Sequence, residues 1–191
     1  METIGPAVKE LAAILDLLKI PFFVCGSMAS AARGVARATV DIDLVARLAP
    51  AQVLQLVEAL QSGWYADADA IRDAIRRRRG FNLIHLASGV KFDVFPASGD
   101  FHEEQFGRAT SMPFFGGVVV CPVATAEDTI LSKLEWYRIG GEVSERQWSD
   151  ILGLIRVTER LDLDHLRRWA ERLRVADLLE RALAAALPHP R

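Results

Sequence analysis

The sequence predicts an α/β fold of the α+β kind, a mixed sheet flanked by helices with a C-terminal helical segment. Three observations carry this. An acid–apolar alternation at 41–45 has the period of a strand. Two apolar runs, 81–86 and 90–95, are separated by only three residues. After Pro122 the apolar spacing becomes helical throughout.

Taken in order, Val8, Leu11, Ala12, Leu15 and Leu18 recur at helical spacing, and Pro21 forces an extended exit, which predicts a first helix ending near Ile20. A short buried strand, Phe22 to Cys25, comes next. Gly26 and Ser27 then open a small-residue helix, Met28 to Arg33, that ends at Gly34. In Asp41-Ile42-Asp43-Leu44-Val45 both carboxylates share one strand face. Pro50 suits the first turn of a helix whose apolar face is Val53, Leu54, Leu56, Val57 and Leu60. A further helix is expected over Asp69 to Arg78.

The runs Phe81 to Leu86 and Val90 to Phe95 flank Ala87-Ser88-Gly89, a connection short enough for an antiparallel hairpin. Lys91, Asp93 and Phe95 lie on one face of the second run, Phe92 and Val94 on the other. A strand at Val118 to Cys121 closes the mixed part at Pro122. Helices follow at about 126–139, 144–160, 164–172 and 176–187, with Ser144 and Asp162 as caps and Gly140-Gly141 as a break. The expected organisation is an α/β core over 1–122 and a helical region over 123–191 packed on it.

A chain of 191 residues with 51% hydrophobic positions can bury one substantial core. Its net charge of -2 excludes a strong overall bias toward nucleic acid or membrane, so any such contact is local. Two cysteines, Cys25 and Cys121, are too few for a disulfide framework and read as buried thiols. No leader pattern and no apolar run of membrane-spanning length occurs, which leads us to expect a cytoplasmic protein with no membrane contact.

The residues that carry chemistry are acidic. Asp41 and Asp43, one residue apart on a strand face, suit a hard divalent cation such as magnesium, which takes a few carboxylates plus substrate phosphate oxygens. Asp93, on a neighbouring strand, is the natural third member and the best candidate to receive a proton. Two such ions, about 3.5–4 Å apart, would activate an attacking oxygen and stabilise a leaving group. The Gly26-Ser27 turn offers the complement, since backbone N–H groups at a helix start bind phosphate and glycine permits close approach. Between the turn and the acid pair, Arg37 is placed to contact phosphate and Thr39 to brace the strand.

Gly26-Ser27, then Arg37-x-Thr39-x-Asp41-Ile42-Asp43-Leu44, then a strand carrying Asp93, resembles the polymerase-β-type nucleotidyltransferase superfamily. Within it, the arginine and threonine before the acid pair look most like the abortive-infection toxin-type branch and its uncharacterised relatives. The resemblance covers about residues 20–160. It implies a nucleotidyltransferase-like mixed sheet, with Gly26, Ser27, Asp41, Asp43 and Asp93 in the positions just argued. It also implies that Lys133, following Glu127 and Asp128 on a helix, binds nucleotide phosphate, and that Arg146 and Asp150 form the basic-acidic pair of the next helix. The departure is Gln147, where the branch usually has an acid.

Plainer readings stand beside these. Lys91 is available as a partner for a buried Asp93. Lys133, between Leu131 and Leu134, reads equally as a lysine that snorkels to water. Arg146 and Asp150, four apart, read more readily as a surface ion pair, and Arg76-Arg77-Arg78-Arg79 as a solvated helix end rather than a phosphate dock. The four histidines show no metal-ligand spacing, and the four tryptophans suit packing.

The expected activity is magnesium-dependent transfer of a nucleoside monophosphate from a nucleoside triphosphate to an RNA (a transfer RNA end), protein or small-molecule acceptor. A toxin–antitoxin role, with an antitoxin as partner, is part of that expectation. The competing reading is a non-catalytic partner or regulatory module.

Overall fold

The computed structural model describes residues 4–35 and 41–186. The first helix, α1 (Ile4–Leu17), buries Ala7, Val8, Leu11, Ala12 and Leu15. It stops earlier than Pro21 requires because Lys19 turns left-handed (φ 54°) and Ile20 N–H donates to Leu15 O at 2.8 Å, a local cap. Strand β1 (Phe22–Val24) is wholly buried and leads through Cys25 into α2 (Gly26–Ala32), so the helix begins at the glycine itself.

Strand β2 (Asp41–Ala46) follows, then a short 3-10 turn at Pro50–Gln52 and α3 (Val53–Leu60). A two-residue strand, β3 (Trp64–Tyr65), precedes α4 (Ala68–Arg77), which Asp67 caps by accepting from Asp69 and Ala70 N–H. The hairpin forms as expected from β4 (Phe81–His85) and β5 (Val90–Pro96).

Besides the two-residue β3, a helix and a strand fall where the sequence suggested none. Helix α5 (Gly99–Arg108) buries only Phe101 and Gln105, too few for an apolar period to show. Strand β6 (Thr110–Phe114) buries only Phe114 and carries Pro113, which suits its place at the edge of the sheet. Strand β7 (Val119–Val123) runs on through Pro122, and Val123 pairs with Val24. The helices α6 (Ala126–Ile139), α7 (Glu145–Val157), α8 (Leu163–Arg172) and α9 (Ala176–Ala186) complete the chain, with Thr125, Ser144 and Asp162 as the caps of the first three.

The strands form one mixed sheet in the order β3-β4-β5-β2-β1-β7-β6. Its central feature is the parallel pairing of β2 with β5, flanked by antiparallel β1–β2 and β4–β5 pairs. Buried apolar side chains form two clusters. One joins α1, α3 and α4 to the sheet. The other lies among α6, α7, α8 and α9 and takes in Phe101 from α5. Helix α6 also packs against α2, which brings the second cluster beside the Gly26 turn. No helix among the described residues is long and apolar enough to cross a membrane.

Candidate active site

In-register pairing of β2 and β5 sets Asp43 opposite Asp93 and Asp41 opposite Lys91. Neighbouring strands lie about 4.8 Å apart, so two carboxylates in this relation repel. Burial holds the Asp43 carboxyl above its ordinary value, and the Asp93 charge raises it further. Donation from the Ser27 backbone N–H and the nearby Lys133 charge pull the other way. Lys91 Nζ lies 3.1 Å from Asp93 Oδ2 and 3.7 Å from Asp41 Oδ1. Hydrogen bonding to Asp93 is the main reason the Lys91 ammonium is held above its usual range.

Asp41 and Asp93 thus share the Lys91 ammonium, while Asp43 accepts from the Ser27 backbone. Among the described residues, no group of three or more His, Cys, Asp or Glu side chains converges as a metal site. The donor set is nonetheless all carboxylate, the ligand type magnesium prefers, and Asp43 sits where a cation would relieve the repulsion from Asp93. The chemistry of the donor set thus suits a divalent ion, while in this arrangement the three carboxylates do not converge on one point.

Gly26 has φ 58°, and a Cβ added to it would stand 2.0 Å from Asp43 Oδ2 and 2.7 Å from its Cγ. Only glycine leaves that space for the carboxylate. The turn lines a cleft of about 1030 Å³ together with Asp43. Neither Asp41 nor Asp93 is among the lining residues. Arg37 and Thr39 lie outside the described residues. Cys25 caps α2 at the same place, and burial, reinforced by Asp43, pushes its thiol well up. Burial raises Cys121 to about 11.

The opposite wall of the cleft comes from the helical half. Lys133 on α6 and Asp150 on α7 meet as a buried ion pair, Nζ to Oδ2 2.9 Å. Lys133 therefore does not snorkel to water. Asp150 pairs across helices, which corrects the reading of Arg146 and Asp150 as a surface ion pair. Arg146 is exposed and lines the cleft.

The arginine run divides. Arg76 and Arg77 pair with Asp73 one turn back, as a solvated helix end would. Arg78, left-handed at φ 53°, and Arg79 line the cleft instead. Among the described residues, no ion pair engages Arg78, Arg79 or Arg146.

Trp136 is half-exposed at the cleft rather than packed in a core, with its ring 6.0 Å from that of Phe95. Phe95 shares the strand face of Asp93, a placement that the period-2 reading already contained. Glu135, which burial raises above its usual range, and His102, which burial lowers, also line the cleft. Nothing in their sequence context pointed to them.

Glu127 and Asp128 serve a different purpose. Asp128 is fully buried and its Oδ1 lies 2.7 Å from His165 Nε2 on α8. Arg108 of α5 approaches Glu127, Asp128 and Asp162 at 3.5–3.7 Å. On the other side of the imidazole, His165 Nδ1 lies 3.2 Å from Glu104 Oε1. This network ties α5 to α6 and α8.

No protein-family model matches the chain, and no curated protein matches it. Solved structures do. An antigenic nucleotidyltransferase-like protein from Paracoccidioides brasiliensis is 17% identical with a TM-score of 0.57, covering 98% of this chain and 94% of that one. The solution structure of the antibiotic-resistance factor ANT(2'')-Ia is 17% identical with a TM-score of 0.54, covering 96% of each chain. ANT(2'')-Ia in complex with adenylyl-2''-tobramycin is 15% identical with a TM-score of 0.58, covering 90% of this chain and 97% of that one. At these identities the likeness is one of fold, and it does not single out the toxin-type branch. Over nearly its whole described length, the chain has the fold of nucleotidyltransferase-like proteins.

Proposed function

We propose that the protein transfers a nucleoside monophosphate from a nucleoside triphosphate to an acceptor hydroxyl and releases pyrophosphate. The single observation behind this is Asp43, in register with Asp93 and pressed against a glycine turn that only glycine can form, lining a cleft within a nucleotidyltransferase-like fold. Asp43 with Asp41 and Asp93 would hold magnesium, which when bound supplies charge neutralisation at the phosphates. Ser27 and the Gly26 turn grip the triphosphate. Lys133, once drawn from Asp150, is placed to meet phosphate oxygens. Asp93 takes the acceptor's proton.

For the acceptor, Arg78, Arg79 and Arg146 favour a phosphate-bearing partner, and the Phe95–Trp136 pair offers a surface for a base to stack on. An RNA end meets both. A small-molecule acceptor is the second reading, since ANT(2'')-Ia is described with an adenylylated tobramycin. The toxin–antitoxin role, with its antitoxin partner, rests on the motif resemblance alone.

The test is transfer of α-labelled phosphate from each of the four triphosphates with magnesium, offered to total RNA, to protein and to aminoglycosides, with pyrophosphate measured in parallel. Label on RNA with stoichiometric pyrophosphate is expected, and Asp43→Ala abolishes both. Free phosphate as product would mean a phosphohydrolase. Unchanged nucleotide and metal binding in Asp41→Ala and Asp43→Ala would leave only the non-catalytic module.

A further inference from the structure

We propose that Lys91 takes the place of a second metal ion, so that the nucleotide-bound site holds one divalent cation. This rests on the metal-site reading above and narrows it, leaving the ion to Asp43 while Asp41 and Asp93 stay with the ammonium. Lys91 is not a chance surface neighbour of the acids. The β2–β5 register sets its Cα opposite that of Asp41, and the strand period sets its side chain on the face of Asp93, two residues along. Its ammonium lies 3.1 Å from Asp93 Oδ2 and 3.7 Å from Asp41 Oδ1, so one cation already serves both carboxylates.

A magnesium ion shared by those two residues would need their oxygens at about 2.0–2.1 Å, and the ammonium competes for the same oxygens. Asp43 stands apart from this arrangement. It makes no contact with Lys91 within ion-pair distance and faces the cleft, where the triphosphate would enter. A site of this kind has one exchangeable cation, on Asp43 with the triphosphate, and one that is covalently part of the chain.

The test counts manganese(II) per protein by electron paramagnetic resonance and calorimetry, in the presence of a non-hydrolysable α,β-methylene triphosphate. The wild type, Lys91→Arg and Lys91→Met are compared. Wild type and Lys91→Arg are expected to bind one ion. Lys91→Met is expected to bind two, with the spin–spin broadening of ions about 3.5–4 Å apart. Two ions in the wild type would overturn this inference and leave the transferase reading intact, as would one ion in Lys91→Met. Failure of the wild type to bind the analogue with manganese would sink the transferase reading itself, and this inference with it.

Discussion

The Cβ position of Gly26 and Oδ2 of Asp43 are 2.0 Å apart, closer than any two non-bonded heavy atoms can stand. Gly26→Ala must therefore displace the carboxylate and also place a side chain at φ 58°. The left-handed backbone alone costs about 1–2 kcal/mol. Moving Asp43 by the order of 1 Å is expected to lower the transfer rate about 100-fold. Initial rates of pyrophosphate release and a thermal melt check the two effects separately.

Asp43→Asn is expected to stabilise the fold at neutral pH while abolishing transfer. In the folded chain the Asp43 carboxyl sits above its ordinary value of 3.8, chiefly through burial and then through Asp93. The folded state thus binds the proton more tightly than the unfolded one, and stability falls as pH rises from the unfolded value through the raised folded one. Above that window the charged form carries the full cost. Denaturant midpoints in acid and at neutral pH should show a smaller decline for the asparagine variant than for wild type. Equal declines would remove Asp43 as the source.

Lys133→Met takes from Asp150 the buried ammonium 2.9 Å away and is expected to cost up to about 3–5 kcal/mol. Lys133→Met combined with Asp150→Leu removes both charges and should recover most of that stability. Urea unfolding of the three proteins decides it. A double variant no more stable than the single one would mean that the pair is not the reason Lys133 matters.

His165→Leu strips Asp128 of its nearest partner in a site with no access to water. A loss of about 3–5 kcal/mol is expected. Because the network spans α5, α6 and α8, protease sensitivity should rise first in those helices, measured by limited proteolysis with mass identification of the cuts.

Arg78→Ala and Arg79→Ala are expected to weaken an RNA acceptor without changing the affinity for the triphosphate. Each phosphate contact removed should lower the slope of log affinity against log salt by about 1. Filter binding across a salt series measures it. Unchanged slopes would return both residues to the ordinary role of a solvated helix end.

The parts of the site that lie along single strands were readable from residue order. Asp41, Asp43, Lys91, Asp93 and Phe95 follow a period of two, and the strands carry them where that period requires. The parts made between elements were not. Lys133 and Asp150 sit on two helices whose packing no spacing reports, so the local Arg146–Asp150 pair looked the better match. The arginine run divides at a residue that adopts a left-handed backbone without being glycine, which leaves no mark in the sequence. Helix α5 escaped because it buries only Phe101 and Gln105 and meets its neighbours largely through surface ion pairs, Arg168 to Glu104 and Arg172 to Asp100 among them, which leave no apolar stripe in the sequence.

Between Asp43 and Asp93 the chain makes an excursion through α3, β3, α4 and β4 before the second carboxylate returns beside the first. Strand register alone fixes where the excursion begins and ends. Within it, the end of α4 delivers Arg78 and Arg79 to the cleft. Two of the cleft's arginines therefore stand on a stretch separate from the carboxylate strands, whereas Phe95 shares a strand with Asp93. Under the proposed function, exchanging the segment between Ala66 and Gly80 would change the charge that the cleft presents to an acceptor while leaving the carboxylate register untouched.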